Sequence, residues 1–435
     1  MVKYIKKIES IGRTTILVII YFLFLYTFRI PGLPFGSFMI ALCTFTIYAF
    51  YAFFRGTLKL QRSSSTNMVR SYLLWNLFLL LYVFCVLQLF GSGYGSTTPL
   101  NDYMQMMIIL PLFYISNINI LKSIDELMQI LYIGVAIQAI IIIAALFLPT
   151  LAIALSLLFP EGSYNTEKMG GFEGAINYGY KVGLGVFTSL GCLKMALGQI
   201  GACFFLIKSR GLKLFFHLIM YLLIAVATTA VARTGMLISA VGLLSVFIAK
   251  NKQGGHRALG FVFLLLFLLF LGYFLLTFLF ATDFLENTFV RLVRTVDNGL
   301  YGSFFEDYSG GGGMNVIPPI CFETIIGLGI TYGTSGSGIT TITDGGFMRN
   351  YSAMGLIVVI VNYLIISFFF LKQYKVSKSF EYKGVISYLF IVLLIGEFKE
   401  YYIYYFSPMC IAFLIFNLIE RSKMQSCPIL NHKRN

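Results

Sequence analysis

The sequence predicts an all-α integral membrane protein, on three observations: its composition, the length of its apolar runs and the placement of its cations. Of the 435 residues, 58% are hydrophobic and 11% charged, with a mean hydropathy of +0.84. A typical soluble domain has roughly 25% charged residues, and no water-soluble core hides this much apolar surface. About twelve apolar runs of about 17–25 residues recur along the chain, each long enough to cross the roughly 30 Å hydrocarbon layer. Residues 1–435 read as one polytopic membrane domain.

The expected spans are 14–33, 35–54, 72–90, 104–120, 126–148, 180–207, 214–232, 235–249, 258–281, 350–371, 384–397 and 401–419. The first follows Lys3, Lys6, Lys7 and Arg13 and lacks a small-residue cleavage site, so it reads as a retained span. Pro111 interrupts the fourth, and the eleventh is short. Further cations cluster in alternate connections: Arg55, Lys59, Arg62 and Arg70; Lys122; Lys208, Arg210 and Lys213; Lys250, Lys252 and Arg257; Lys372, Lys375, Lys378 and Lys383; and Arg421, Lys423, Lys433 and Arg434. Segment 91–103, on the other face, carries none. The positive-inside rule therefore predicts an even number of spans with both termini in the cytoplasm. It also accounts for the formal charge of +14 without a nucleic-acid partner.

Two segments expected outside are too long for turns. The first, 149–179, runs from LAIALSLLF into the polar EGSYNTEKMGGFEGAINYGY; the second, 282–349, contains Gly310 to Gly313 and is the largest hydrophilic piece. Glycine runs suit a flexible linker, whereas ENTFVRLVRTVDNGLYGSFFEDY suits a short helix on the membrane surface, and long ordered loops carry function. No internal repeat is visible, which argues against transporters built from two similar halves. The cysteines lack metal-ligand spacing, and no metal is expected.

Several cations oppose the bias: Arg29, Lys168, Lys181, Lys194, Arg233, Arg291, Arg294, Arg349 and Lys399. A phosphate ligand outside explains them, because guanidinium forks pair with phosphate oxygens. Arg29 ends a span and fits headgroup snorkelling. Arg233, in TTAVARTGMLISAV, lies where an ionised group needs a cavity or a partner; Lys194 reads either as half of a structural ion pair or as a pathway residue. In TDGGFMRNYSAMG, Asp344 and Arg349 stand at the head of a span. There a carboxylate accepts the proton of an attacking hydroxyl while an arginine neutralises a phosphate leaving group; the alternative is a helix cap with an interfacial arginine. GEFKEYYIYYF breaks the last hairpin with Glu397, Lys399 and Glu400, as charges facing the same mouth or as a self-paired tight turn.

Taken in order, ARTG at 232–235, the large loop before the last three spans, TDGGFMR at 343–349 and GEFKE at 396–400 resemble the O-antigen polymerase and ligase superfamily of membrane glycosyltransferases. KMGGFEGAIN at 168–177 is similar to that family's basic-then-glycine segment, with Lys168 in place of arginine and without the usual proline at 175–177. The resemblance implies a GT-C-like glycosyltransferase fold in the bacterial inner membrane, acting at its outer face without cofactor, metal or nucleotide sugar. It implies polymerisation of undecaprenyl-diphosphate-linked oligosaccharide repeat units into O-antigen or capsule-type polysaccharide, alongside a chain-length regulator and a flippase. Arg233 matches the arginine aimed at the cavity, and Asp344 with Arg349 the acidic-basic pair. Arg291 and Gly302 fit the arginine-to-glycine spacing of some polymerases. Arg233, Arg291 and Arg349 are thus expected to hold the donor diphosphate, with Lys168, Lys181, Glu397, Lys399 and Glu400 around the substrate. The expected base is Asp344, then Glu323, with Glu306 and Asp307 as further candidates. Ligases of the family use a histidine in the large loop, and none stands between His256 and His432, which favours a polymerase over a ligase. A lipid-linked oligosaccharide flippase is the competing class, expected to show pseudo-symmetry and no large outer loop.

Overall fold

The computed structural model of the protein describes residues 2–56, 63–90, 98–156, 158, 183–185, 188–232, 234–279, 318–341 and 345–426. Helices dominate: α1 Val2–Leu25, α2 Ser37–Phe54, α3 Ser64–Phe90, α4 Thr98–Ile120, α5 Ile124–Phe147, α6 Pro149–Ser156, α7 Thr188–Lys208, α8 Gly211–Val231, α9 Thr234–Gln253, α10 Gly255–Leu279, α11 Phe322–Ile326, α12 Gly346–Val376, α13 Phe380–Lys399 and α14 Phe406–Ser426. Between α11 and α12, β1 (Gly333–Thr334) and β2 (Thr340–Thr341) pair antiparallel. Among the described residues, eight helices are long and apolar enough to cross a membrane: α2 to α5, α7 to α9 and α12. The protein is an all-α, multi-pass membrane protein.

Helix α7 is the axis. Of its apolar stretch 89% is buried inside the protein, against 22% for α2 and for α3, whose outward faces offer Phe50, Phe53, Phe78 and Phe84 to lipid. It packs on α5, α8, α9 and α13, and small residues allow the approach. A Cβ at Gly201 would overlap the Met128 carbonyl, and one at Gly198 the Val135 side chain, the close backbone contact that membrane helices favour. Gln199 ties the axis together: it accepts from Tyr388 (2.9 Å) and donates to Thr228 (2.9 Å) and Ser239 (3.3 Å).

One end of the bundle is held by basic side chains. Arg13 pairs with Glu126 (3.1 Å) and Lys208 with Asp125 (2.6 Å); Arg421 donates to the Ile118 carbonyl and Lys423 to that of Val376 (2.6 Å each). Arg421 and Lys423 thus cap carbonyls at helix C-termini, where positive charge is favoured. Glu420 does the reverse for α3, accepting from the backbone N–H (2.9 Å) and hydroxyl (2.8 Å) of Ser65.

The opposite end, the mouth, is irregular, and the helices depart from the expected spans there. Helix α1 stops at Leu25 rather than reaching residue 33 because Pro31, Gly32 and Pro34 follow, and an isolated Arg29–Gly36 bridge closes the turn. Helix α14 begins at Phe406 rather than 401 because the preceding turn wraps the Glu397 carboxylate. Pro111 does not end α4, which runs through it; neighbours in a bundle re-satisfy a backbone group that a proline frees.

The largest departure is a break in α12. Gly355 has φ +78° and ψ 166°, so residues 346–354 and 356–376 are two helical pieces in one span. The break frees carbonyls, and the end of the large loop fills them: Leu328 N–H donates to Ser352 O (2.6 Å) and Gly329 N–H to Ala353 O (3.1 Å). That loop is itself pinned to α3 by Tyr82 OH on Ile326 O (2.6 Å) and by Gly336 N–H on Phe90 O (2.7 Å). The expected surface helix within 286–308 lies outside the described residues, as does most of 149–179. Gly355→Ala is expected to be strongly destabilising: φ +78° costs a non-glycine residue about 1–3 kcal/mol, and the new Cβ would overlap the Ile325 and Ile326 carbonyls. Thermal unfolding of the detergent-solubilised variant reads this as a lowered Tm.

Candidate functional site

The mouth brings together two segments that lie far apart in the chain. Helix α12 starts at Gly345, an extended cap residue without a side chain, and at Gly346, where a Cβ would fall 2.7 Å from Glu397 Cδ and 2.5 Å from the Glu400 carbonyl. Only glycine allows this approach. Arg349, partly exposed, follows on the first turn, so residues 345–349 and 396–400 form one surface.

Glu397 is the knot that holds that surface. It is fully buried, and its carboxylate accepts four hydrogen bonds: from Asn350 Nδ2 (2.6 Å) and Tyr363 OH (2.7 Å) on Oε1, and from the Tyr402 (3.1 Å) and Ile403 (2.8 Å) amides on Oε2. Asn350 precedes the α12 break and Tyr363 follows it. One carboxylate therefore fixes both pieces of the broken helix and the turn that leads into α14. A buried carboxylate persists when donors surround it in this way. Its oxygens are committed to the protein, so its part at the mouth is to position Arg349 beside Asn350. Lys399 and Glu400 are the partly exposed members of the same segment.

Asp102 joins them from α4. Its neighbour Tyr103 is buried and packs edge-on against Tyr404, with centroids 4.9 Å apart, and Tyr404 stacks on Tyr401 at 5.3 Å. The Asp102 carboxyl lies within the field of the Arg349 guanidinium. Sequence reasoning passed over it; the available signal was a carboxylate heading a span whose preceding segment holds no cation.

Glu323 sits on α11, the element docked at the helix break, and is partly exposed. Hydrogen bonds from its own backbone amide and from Cys321 hold its carboxyl below the ordinary range, so at neutral pH it is a carboxylate. Next to it, Thr324 accepts from Tyr351 of α12 (3.1 Å), which joins this short helix to the segment bearing Arg349. Asp344, Arg233, Arg291, Lys168 and Lys181 lie outside the described residues, as do Glu306 and Asp307.

Lys194, on the axial helix, is buried at 5% exposure. Its Nζ donates to Thr27 Oγ1 (2.6 Å) and lies 5.6 Å from the centre of the Tyr405 ring. Among the described residues no carboxylate forms an ion pair with it. An ionised group inside a membrane bundle is costly unless a partner or a cavity meets it.

No protein-family model and no curated protein matches this chain. The mouth itself supplies the chemistry: a guanidinium at a helix start, carboxylates on α4, α11 and α13, and aromatic faces, all at the membrane boundary. Chemically, a guanidinium can pair with a phosphate and a carboxylate can accept a proton from a hydroxyl. Truncating Glu397 to Ala is expected to leave Asn350, Tyr363 and two amides without their acceptor, at about 1–3 kcal/mol for each buried group left unpaired. Glu397→Gln, which keeps one carbonyl acceptor, should lose less, and comparison of the two Tm values checks this order.

Proposed function

We propose that the protein is a membrane glycosyltransferase that polymerises polyprenyl-diphosphate-linked oligosaccharide repeat units into an O-antigen or capsule-type polysaccharide. The observation that carries the reading is the pairing of an Arg349-bearing half-helix with the Glu397–Glu400 turn at one mouth of a membrane bundle. Charged groups retained beside a membrane span face a partner, a cavity or a ligand, and mark functional sites. In this reading twelve helices span the bacterial inner membrane in a GT-C-like arrangement. The basic end and both termini face the cytoplasm, and the mouth faces outward.

Arg349, with Arg233 and Arg291, holds the donor diphosphate of an undecaprenyl carrier, and Lys168, Lys181, Lys399 and Glu400 border the glycan. A carboxylate, Asp344 first and then Glu323, takes the proton of the acceptor sugar hydroxyl as its oxygen attacks the anomeric carbon. The bond from that carbon to the diphosphate oxygen breaks, and the carrier leaves as its diphosphate anion, stabilised by the guanidinium groups. Binding across Glu397 keeps Arg349 in place during the exchange, as a preorganised site requires. A chain-length regulator and a flippase are the partners this role implies.

Two measurements test the reading. Deleting the gene should leave a single repeat unit on the surface lipid when the polysaccharide is run on a gel; complete absence of surface repeats would identify a flippase or ligase instead. Purified Arg349→Ala protein should extend lipid-linked repeats about 100-fold or more slowly than wild type, the scale set by removing one transition-state donor. An unchanged rate would remove Arg349 from the site.

A further inference from the structure

Among the described residues, Lys194 is a cation buried without an ion-pair partner. An ammonium group carries three donors; the Thr27 hydroxyl takes one, and the Tyr405 ring supplies attraction without a lone pair. The other lysine well buried in the bundle, Lys250, lies at the basic end and donates to the Ser209 carbonyl at a helix C-terminus (3.1 Å), the ordinary place for such a charge. Lys194 instead lies in the second turn of α7, towards the helix N-terminus and the mouth.

Both feet of the first long connection close over this position. The Arg29 N–H donates to the Leu158 carbonyl (2.6 Å), and Gly185, with φ +65°, presses its backbone onto residues 26 and 27, so that a Cβ there would fall 2.5 Å from Thr27 O. The chain between those feet carries Lys168 and Lys181 together with Glu161, Glu167 and Glu173, all outside the described residues. On the other flank, Tyr402 OH donates to Leu193 O (2.8 Å), and Tyr405 begins the approach to α14. Arg29, Lys399 and Arg349 add positive charge at this end, and Asp102 and Glu400 add negative charge near Tyr405. At the floor of the mouth, among the described residues, one ammonium thus has a hydroxyl and an aromatic ring beside it.

We propose that Lys194 is the floor of a phosphate-binding site between the 26–29 and 401–405 turns, supplying counter-charge to the diphosphate of the lipid-linked glycan. The phosphate oxygen replaces Thr27 Oγ1 as acceptor, and the feet of the 159–182 connection stand beside it. The identity of this ligand rests on the polymerase reading above; the place of the site rests on the burial of Lys194 and its contacts with Thr27 and Tyr405.

Binding of sugar-free undecaprenyl diphosphate to the full-length protein in phosphatidylcholine nanodiscs tests it. Lys194→Met should bind about tenfold more weakly, one charge-assisted hydrogen bond lost, while Lys194→Arg stays within about threefold of wild type. Adding phosphatidylglycerol should leave binding unchanged; competition at equal strength would make this a headgroup site and overturn the assignment. Wild-type affinity in Lys194→Met would also overturn it. If that variant does not fold, a folded Lys194→Arg protein that has lost tenfold in affinity overturns it equally, and one that binds normally supports it. Failure of the polymerase reading looks different: wild type binds the diphosphate but extends no repeats, and the Lys194 site stands.

Discussion

Hydrocarbon offers no partner to a backbone amide or carbonyl, and this constraint organises the whole protein. It explains why the chain is helical almost throughout its described length. It also explains the most unusual feature, the break in α12 at Gly355. A break inside a span exposes carbonyls, and the structure answers with backbone from elsewhere: the 327–329 segment donates to Ser352 and Ala353 in the manner of a short strand. That segment is tied to α3 through Tyr82 and Phe90, so the last part of the large loop is a structural member of the bundle.

Once α12 is broken, something must hold the piece that carries Arg349. Glu397 does so by accepting from Asn350 on one side of the break, from Tyr363 on the other, and from two amides of the turn before α14. Four donors on one fully buried carboxylate also give the mouth a fixed shape. Gly346 and Gly345 contribute by having no side chain, which lets the helix start against Glu397 and the Glu400 carbonyl. Broken helices near the mouth of a membrane bundle point the positive end of a helix piece at a ligand, and here that end carries a guanidinium as well. Packing, polar satisfaction and charge therefore all rest on the same few residues.

The two ends of the bundle use charge differently. At the basic end, cations meet helix C-termini or carboxylates, as Arg13, Lys208, Arg421 and Lys423 do, and each has a local structural role. At the mouth, Arg349 stands at a helix start, where its charge opposes the helix dipole, and Lys194 lies in hydrocarbon surroundings beside a hydroxyl and a ring. In the proposed reading, an anionic ligand at the mouth adds counter-charge to these groups and so stabilises the arrangement.

The sequence by itself determined that the chain is a multi-pass helical membrane protein, because apolar runs of that length have no other stable home. It also marked Arg349, Glu397, Lys399 and Glu400, since an ionic group beside a span is conspicuous against so apolar a background. It did not separate their roles. Glu397 is read from the sequence as a member of the mouth's charged surface, and only the fold shows that its oxygens are all committed inside; nothing in GEFKE tells which acid points inward. Asp102 was invisible for the opposite reason: its significance comes from the charge of Arg349, which acts on it only once the bundle has assembled. The break at Gly355, its repair by residues 327–329 and the burial of Lys194 beneath Thr27 were likewise decided by tertiary structure alone. Each depends on contacts between distant segments, and hydrophobic periodicity carries no record of which segments will meet.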